Sequence, residues 1–271
     1  MPSLHRDIKR RVDIVEAEAV AGRMTIGAAE WRWLDTGGDG PPIVLLPGWV
    51  GDAAMYFRIL ERKSSLPRLI AVTYPGIADG IALSSQFAEL LERWKVDKPL
   101  VVGSSFSSYW LQHLTTRHHA RVSGYILGNG FSDAADLVGV SLGVPDSAAD
   151  ASAEAVHSAW IDRLSKLQQT ELVALQALML RERQSARDLN DRLSGVRLAV
   201  EAAKRDASNK VFLLECPDDP LISLEAQSRM RRRYPEAQAI VISGGGHYPY
   251  VLRPDTYSQV LREVWTSVHQ R

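Results

Sequence analysis

The chain has 271 residues, with 32 Lys+Arg against 32 Asp+Glu, so its formal charge is zero with histidine neutral. That balance leaves no basic field for nucleic acid or an anionic membrane surface, and no apolar run approaches the roughly 20 residues that span a bilayer. The length suits one large α/β domain carrying an insertion, and the single cysteine, Cys216, excludes an intrachain disulfide and fits a reducing, cytoplasmic compartment.

Residues 1–16 are broken by His5, Arg6, Asp7, Lys9, Arg10 and Arg11 and hold no signal-peptide apolar core. Trp31-Arg32-Trp33-Leu34 alternates like a half-buried strand, and Asp35 to Pro42 is a Gly/Pro turn. Ile43-Val44-Leu45-Leu46 is wholly apolar and stops at Pro47-Gly48, as a buried parallel strand would. Asp52 can cap a helix that carries Met55, Tyr56, Ile59 and Leu60 on one face. Leu69-Ile70-Ala71-Val72 is the next buried strand, and Phe87, Leu90, Leu91 and Trp94 follow helical spacing. Leu100-Val101-Val102 runs into Gly103-Ser104-Ser105-Phe106-Ser107 and then a helix with Trp110, Leu111 and Leu114. Val122 to Leu127 reads as a strand ending at Gly128-Asn129-Gly130.

After Asp133 the alternation stops. Residues 134–206 offer no good strand candidate, while Trp160, Leu164 and Leu167, then Leu172, Leu175 and Leu178, mark helical faces. Gly143 to Ala153, rich in small residues around Pro145 and Asp146, suggests an exposed loop. The rhythm resumes with Val211-Phe212-Leu213-Leu214, a helix from Leu224 to Arg233, a strand from Ala239 to Ile242 and a closing helix to Val268. The order implies a doubly wound, mostly parallel sheet, with residues 1–133 and 207–271 as the α/β core and 134–206 as a helical lid over the site end. Arg229 and Arg231 to Arg233 read as a solvated helix face.

The stretch from Leu100 to Ser107 has the layout of a nucleophile elbow, a strained strand-to-helix turn that lifts one serine above a parallel sheet. Here it reads G-x-S-x-S, with Ser105 as the nucleophile. A serine hydroxyl needs an imidazole to take its proton and a carboxylate to orient that imidazole. His247 sits in the glycine turn Gly244-Gly245-Gly246 after a strand, where a loop can bend back over the sheet edge. His113, His118 and His119 lack metal-ligand spacing and read as ordinary surface or packing residues. Three carboxylates can serve as the acid: Asp218 and Asp219 after the strand 211–214, and Asp133 past the strand 122–127. The spacing places Asp219 first, Asp218 second and Asp133 third. Backbone amides at Phe106 and Trp49 can form an oxyanion hole. Cys216 reads as a small buried packing residue.

Together these residues resemble the α/β-hydrolase superfamily, and within it the maspardin branch. The resemblance runs from Ile43 through the elbow, Asn129-Gly130-Phe131-Ser132-Asp133, the segment Ile161-Asp162-Arg163-Leu164, and Gly245-Gly246-His247-Tyr248-Pro249-Tyr250. It implies the α/β-hydrolase fold. The superfamily's Asp-Pro-Leu-Val-like run matches Asp219-Pro220-Leu221-Ile222 and favours Asp219, whereas an ungapped comparison with maspardin favours Asp218. Maspardin is regarded as a binding or adaptor protein with an incomplete triad and no histidine where this chain has His247. Two departures from the superfamily bear on the oxyanion geometry: Pro47 stands where histidine is common, and Ser107 where a second glycine is common.

The expected function is a serine hydrolase of the carboxylesterase type, acting on a small, apolar acyl substrate through Ser105, Asp219 and His247 and an acyl-enzyme, with no metal or organic cofactor. The alternatives are a catalytically silent scaffold that binds a partner protein, or non-hydrolytic chemistry on the same fold, such as C–C cleavage, lyase or acyl-transfer reactions.

Overall fold

The strand and helix patterns leave the first two elements unread, and both are present: helix α1 (Pro2–Ala17) and strand β1 (Val20–Ile26). α1 is rich in charge and turns Leu4, Ile8, Val12 and Val15 inward, every third or fourth residue. β1 pairs antiparallel with β2 (Ala29–Asp35) and is largely exposed, so no apolar run announces it. These come from a computed structural model that describes residues 2–115, 121–137, 152–203 and 210–270. His118, His119, most of the loop expected at 143–153, and the lid positions 138–151 and 204–206 lie outside the described residues.

The remaining strands are β3 (Ile43–Leu46), β4 (Leu69–Thr73), β5 (Leu100–Ser104), β6 (Gly124–Gly128), β7 (Lys210–Glu215) and β8 (Gln238–Val241). Among the described residues they form one eight-stranded sheet in the order β1-β2-β4-β3-β5-β6-β7-β8. Every pairing from β4 to β8 is parallel, and β2 joins β4 antiparallel. β3 to β6 are buried at every residue, and β7 at every residue after Lys210. β8 is an edge and mostly exposed.

Helices α2 (Phe57–Leu60), α3 (Gly80–Trp94), α4 (Phe106–Thr115), α8 (Leu224–Arg233), α9 (Pro249–Leu252) and α10 (Pro254–His269) accompany the sheet. Asp79 starts α3 by accepting the amides of Ile81 and Ala82 at 2.8 and 3.1 Å. The basic run in α8 keeps the solvated face expected of it at Arg229, Arg231 and Arg232, whose side chains are 40%, 52% and 63% exposed. Arg229, Arg231, Arg232 and Arg233 pair with Asp136, Glu215, Glu225 and Glu201, and the Arg233 side chain is buried.

Between β6 and β7 the described residues are helical: α5 (Ala153–Lys166), α6 (Glu171–Leu178) continuing into a π turn to Arg183, and α7 (Ala186–Arg197). Ser152, Thr170 and Ser185 cap the three helices through their hydroxyls. This segment is anchored on one side by charge. Arg183 bonds Glu16 of α1 and the buried Asp52, while Glu171 bonds Arg58 at 3.2 Å.

Candidate active site

The parallel strands end together at one edge of the sheet, and the turns after β3, β5, β6, β7 and β8 meet there. β5 stops at Ser104, Ser105 takes a left-handed backbone with φ +54°, and α4 begins at Phe106. A serine in that region is strained and persists only where its surroundings hold it. Its amide donates to Gly128 O at 2.9 Å, and its carbonyl accepts from Tyr109 N at 3.0 Å. Gly103 allows α4 to approach the strand, because a Cβ there would stand 2.9 Å from the Ser107 carbonyl carbon. Ser107 replaces the commoner glycine without disturbing the turn: its hydroxyl donates to Leu46 O at 2.7 Å and accepts from Ser104 N at 2.8 Å.

After β8 the chain passes through Gly244 and Gly246, both at positive φ, and delivers His247 to the same edge. His247 Nδ1 lies 2.8 Å from Asp219 Oδ2, with the two side chains 3% and 0% exposed. The bond favours a proton on Nδ1, the tautomer that in a neutral ring keeps the lone pair on Nε2. Nε2 is buried and has no hydrogen-bond partner among the described residues. The other carboxylate oxygen of Asp219 accepts the amides of Leu221 at 2.7 Å and Ile222 at 3.1 Å. Both oxygens are therefore fixed before any substrate arrives.

The neighbouring carboxylates go elsewhere, and the reasons are local. Asp218 accepts the amides of Gly244 at 3.0 Å and Gly246 at 2.9 Å, so it shapes the histidine loop rather than touching the ring. Desolvation pushes the Asp218 carboxyl up, but the amides of Gly246, Gly244 and Gly245 outweigh it and hold the group below its ordinary value. Asp133 accepts the Ala135 amide at 2.7 Å and starts a short turn that ends at Leu137. Of the three candidate acids, Asp218 and Asp133 thus have carboxylates that serve backbone amides, and Asp219 alone is paired with the ring among the described residues.

Trp49 and Phe106 flank the serine. A Cβ on Gly48 would lie 3.2 Å from Ser105 Cβ and 3.8 Å from its Oγ, so the loop before Trp49 packs against Ser105. The Trp49 ring packs on Trp160 of α5 with centroids 4.7 Å apart, and the Phe106 ring packs on Tyr109. His113 is buried beside Tyr109, as a packing residue should be.

A cavity of about 430 Å³ contains Ser105 and His247 in its wall. The rest is mainly apolar, with Phe131 and Ile222 from the core and Leu164, Leu172 and Leu193 from the helices above. Tyr248 stands edge-on to His247 at 5.1 Å, its hydroxyl pushed up to about 12 by burial and therefore neutral. A second cleft of about 480 Å³ lies beside Glu30, Thr73 and Pro75, without Ser105 or His247. In its wall Arg32 faces Glu30 and Arg187 faces Asp191, each pair at 3.8 Å. Among the described residues, no group of three or more His, Cys, Asp or Glu side chains is arranged to hold a metal ion.

Two residues that organise the site were not singled out in the sequence. Asn129, at φ +42°, donates to Gly246 O at 2.9 Å and accepts from Cys216 N at 3.1 Å, so one side chain ties the acid turn to the histidine loop. Gln227 of α8 donates to Cys216 O at 2.9 Å. Asn129 is visible in the sequence only as part of a Gly-Asn-Gly turn, which carries no sign of its partners. Cys216 is buried and its thiol is pushed up to about 12 by desolvation, which makes it an unreactive packing residue.

Comparison with known proteins agrees with this architecture. Residues 43–260 match the model of the alpha/beta hydrolase family. Human maspardin is 29% identical over 234 residues, covering 78% of this chain and 70% of that one, and zebrafish (Danio rerio) maspardin is 27% identical over 239 residues, with the same coverage of both chains. Among solved structures, a thermophilic esterase from Thermogutta terrifontis superposes with a TM-score of 0.72 at 20% identity, covering 93% of this chain and 100% of its own. A putative aryl esterase from Burkholderia cenocepacia gives a TM-score of 0.77 at 16% identity, with the same coverage. At those identities the two structures speak for the fold. The family match spans most of the chain, and with it strands β3 to β8, the turn at Ser105 and the histidine loop: the protein belongs to the alpha/beta hydrolase family and is similar to maspardin within it.

Proposed function

We propose that this protein is a serine hydrolase that cleaves an ester, or a related acyl bond, of a small apolar substrate. The carrying observation is the pairing of His247 with Asp219 at 2.8 Å, beside a cavity whose wall holds both His247 and Ser105. Ser105 Oγ attacks the acyl carbon while His247 Nε2 takes the hydroxyl proton. The carbonyl oxygen becomes an oxyanion and is stabilised by the amides of Trp49 and Phe106. Asp219 keeps the proton on Nδ1 and stabilises the imidazolium. His247 then passes its proton to the leaving alkoxide, which departs as the alcohol and leaves an acyl-Ser105. Water attacks that ester with His247 again as base, releasing the acid and restoring the serine. The helices α5 to α7 act as the lid and supply the apolar wall that receives the acyl chain.

A second reading, a silent scaffold that binds a partner protein, draws support from the likeness to maspardin. Hydrolysis of p-nitrophenyl esters from acetate to decanoate separates the two. The hydrolase reading expects turnover that peaks at a medium chain length and vanishes in Ser105→Ala; equal rates in wild type and Ser105→Ala would favour the scaffold.

A further inference from the structure

One side chain leaves the lid helices and enters the loops around Ser105. Arg192 of α7 is 2% exposed, and among the described residues its guanidinium forms no ion pair. It donates instead to four uncharged oxygens: Val50 O at 3.1 Å, Tyr74 O at 2.7 Å, Pro75 O at 3.4 Å and Gln184 Oε1 at 2.6 Å. It also lies over the Tyr74 ring, 5.1 Å from the centroid. A desolvated cation without a paired anion is costly, and the carbonyl dipoles offset that cost only while they stay aimed at it. Burial accordingly pulls the Arg192 guanidinium below its ordinary value. Gly51 makes the seat possible, since a Cβ there would stand 2.3 Å from Arg192 Cζ.

The groups Arg192 grips are one bond from the oxyanion loop. The Tyr74 hydroxyl donates to Gly48 O at 2.6 Å, and the Gly51 amide donates to the same oxygen at 2.9 Å. The Tyr74 amide in turn donates to Gly51 O at 3.1 Å. Gly48 O and Trp49 N–H belong to one peptide unit, and the described residues contain no cis peptide. Fixing the carbonyl therefore fixes the opposite direction for the N–H. Hydrogen bonds to that carbonyl also strengthen its N–H as a donor. Three residues along α7, on the same face, Gly195 lies against the elbow: a Cβ there would be 2.5 Å from Phe106 Cζ.

We propose that Arg192 is a positioning residue: through Val50 and Tyr74 it holds the Gly48–Trp49 peptide with its N–H toward the substrate oxygen, so that docking of α7 and assembly of the oxyanion hole are one event. The use of the hole rests on the hydrolase reading, whereas the clamp itself rests on geometry. Two measurements keep them apart. Hydrogen exchange at the Gly51 and Tyr74 amides reads the clamp, and kcat and KM on a p-nitrophenyl ester read its use.

In Arg192→Met both amides should exchange at least ~10-fold faster, and kcat should fall by about 10²–10³-fold, the loss of one oxyanion donor, with KM within ~3-fold of wild type. Arg192→Lys should recover part of both. Tyr74→Phe keeps the ring beneath Arg192 and removes only the hydroxyl on Gly48 O, so it carries the same test if Arg192→Met does not fold; it too should lower kcat rather than raise KM. Unchanged exchange in Arg192→Met, or unchanged kcat in Tyr74→Phe, would overturn the proposal. A wild type that hydrolyses nothing, alongside faster exchange in Arg192→Met, would sink the hydrolase reading and leave the clamp standing.

Discussion

The floor and the roof of the cavity are held by different forces. The floor is directional: Asp219 is fixed by the Leu221 and Ile222 amides, His247 by Asp219, and the histidine loop by Asp218 and Asn129. The roof presents Leu164, Leu172 and Leu193, whose contacts with a ligand depend on area and shape rather than angle. Proton transfer needs atoms placed to within a fraction of an ångström, and only hydrogen-bonded groups offer that. An apolar wall can exchange one side chain for another and leave the chemistry beneath it intact. On the proposed hydrolase reading the floor sets the reaction type and the roof the substrate choice, with Arg192 as the exception that joins them.

The largest effect should come from the floor. Asp219→Asn should lower kcat by up to ~10⁴-fold, because the amide favours the wrong histidine tautomer while leaving the ring in place. Asp218→Asn and Asp133→Asn, whose carboxylates serve backbone amides, should stay within ~10-fold of wild type. Steady-state rates of the three variants check this ranking, and a severe lesion at Asp218 or Asp133 with a mild one at Asp219 would reverse the assignment of the acid.

A smaller effect should follow from the roof. Leu172 is only half-buried and lines the cavity, so Leu172→Trp takes space from the acyl chain at little cost to folding. Its kcat/KM should fall by about 10–200-fold on the longest esters accepted and hardly at all on acetate. Equal losses on short and long esters would mean that the substitution reached the floor.

The smallest effect concerns pH. The Asp218 carboxyl is held below its ordinary value in the folded chain, so its contribution to stability is complete above the unfolded carboxylate range and is lost as pH falls through the lower, folded value. Asp218→Asn removes that contribution. Thermal unfolding of the variant should therefore show a flatter acid limb than wild type between neutral pH and pH ~3, with its deficit largest at neutral pH. A parallel pair of curves would show that the amide bonds to Asp218 add nothing to folding.

The buried parallel strands, the elbow and the histidine turn are legible in the sequence because each is a local pattern of an apolar run or alternation broken by small residues. The choice between Asp218 and Asp219 is not local. It depends on how the turn after β7 is wound, with the Asp219 amide bonded to Cys216 O at 3.1 Å, and adjacent carboxylates differ by one rotation of the chain. α1 escapes notice because its buried stripe is thin and seven of its other residues are charged. Ser107 reads as a departure from the elbow pattern, yet its hydroxyl finds Leu46 O on the neighbouring strand, a partner 61 positions away. Arg192 is hidden for the same reason: Val50 and Tyr74 precede it by 142 and 118 positions. Spacing patterns carry no trace of contacts that distant.

The central claim is that one hydroxyl, on Ser105, is activated by the His247–Asp219 pair, and fluorophosphonate labelling followed by peptide mapping tests it most directly. The account predicts a single labelled residue, Ser105, with Ser104 and Ser107 untouched and labelling lost in His247→Ala while the circular dichroism spectrum stays native. A label on another serine, no label at all, or labelling of Ser105 that persists undiminished in His247→Ala would contradict it.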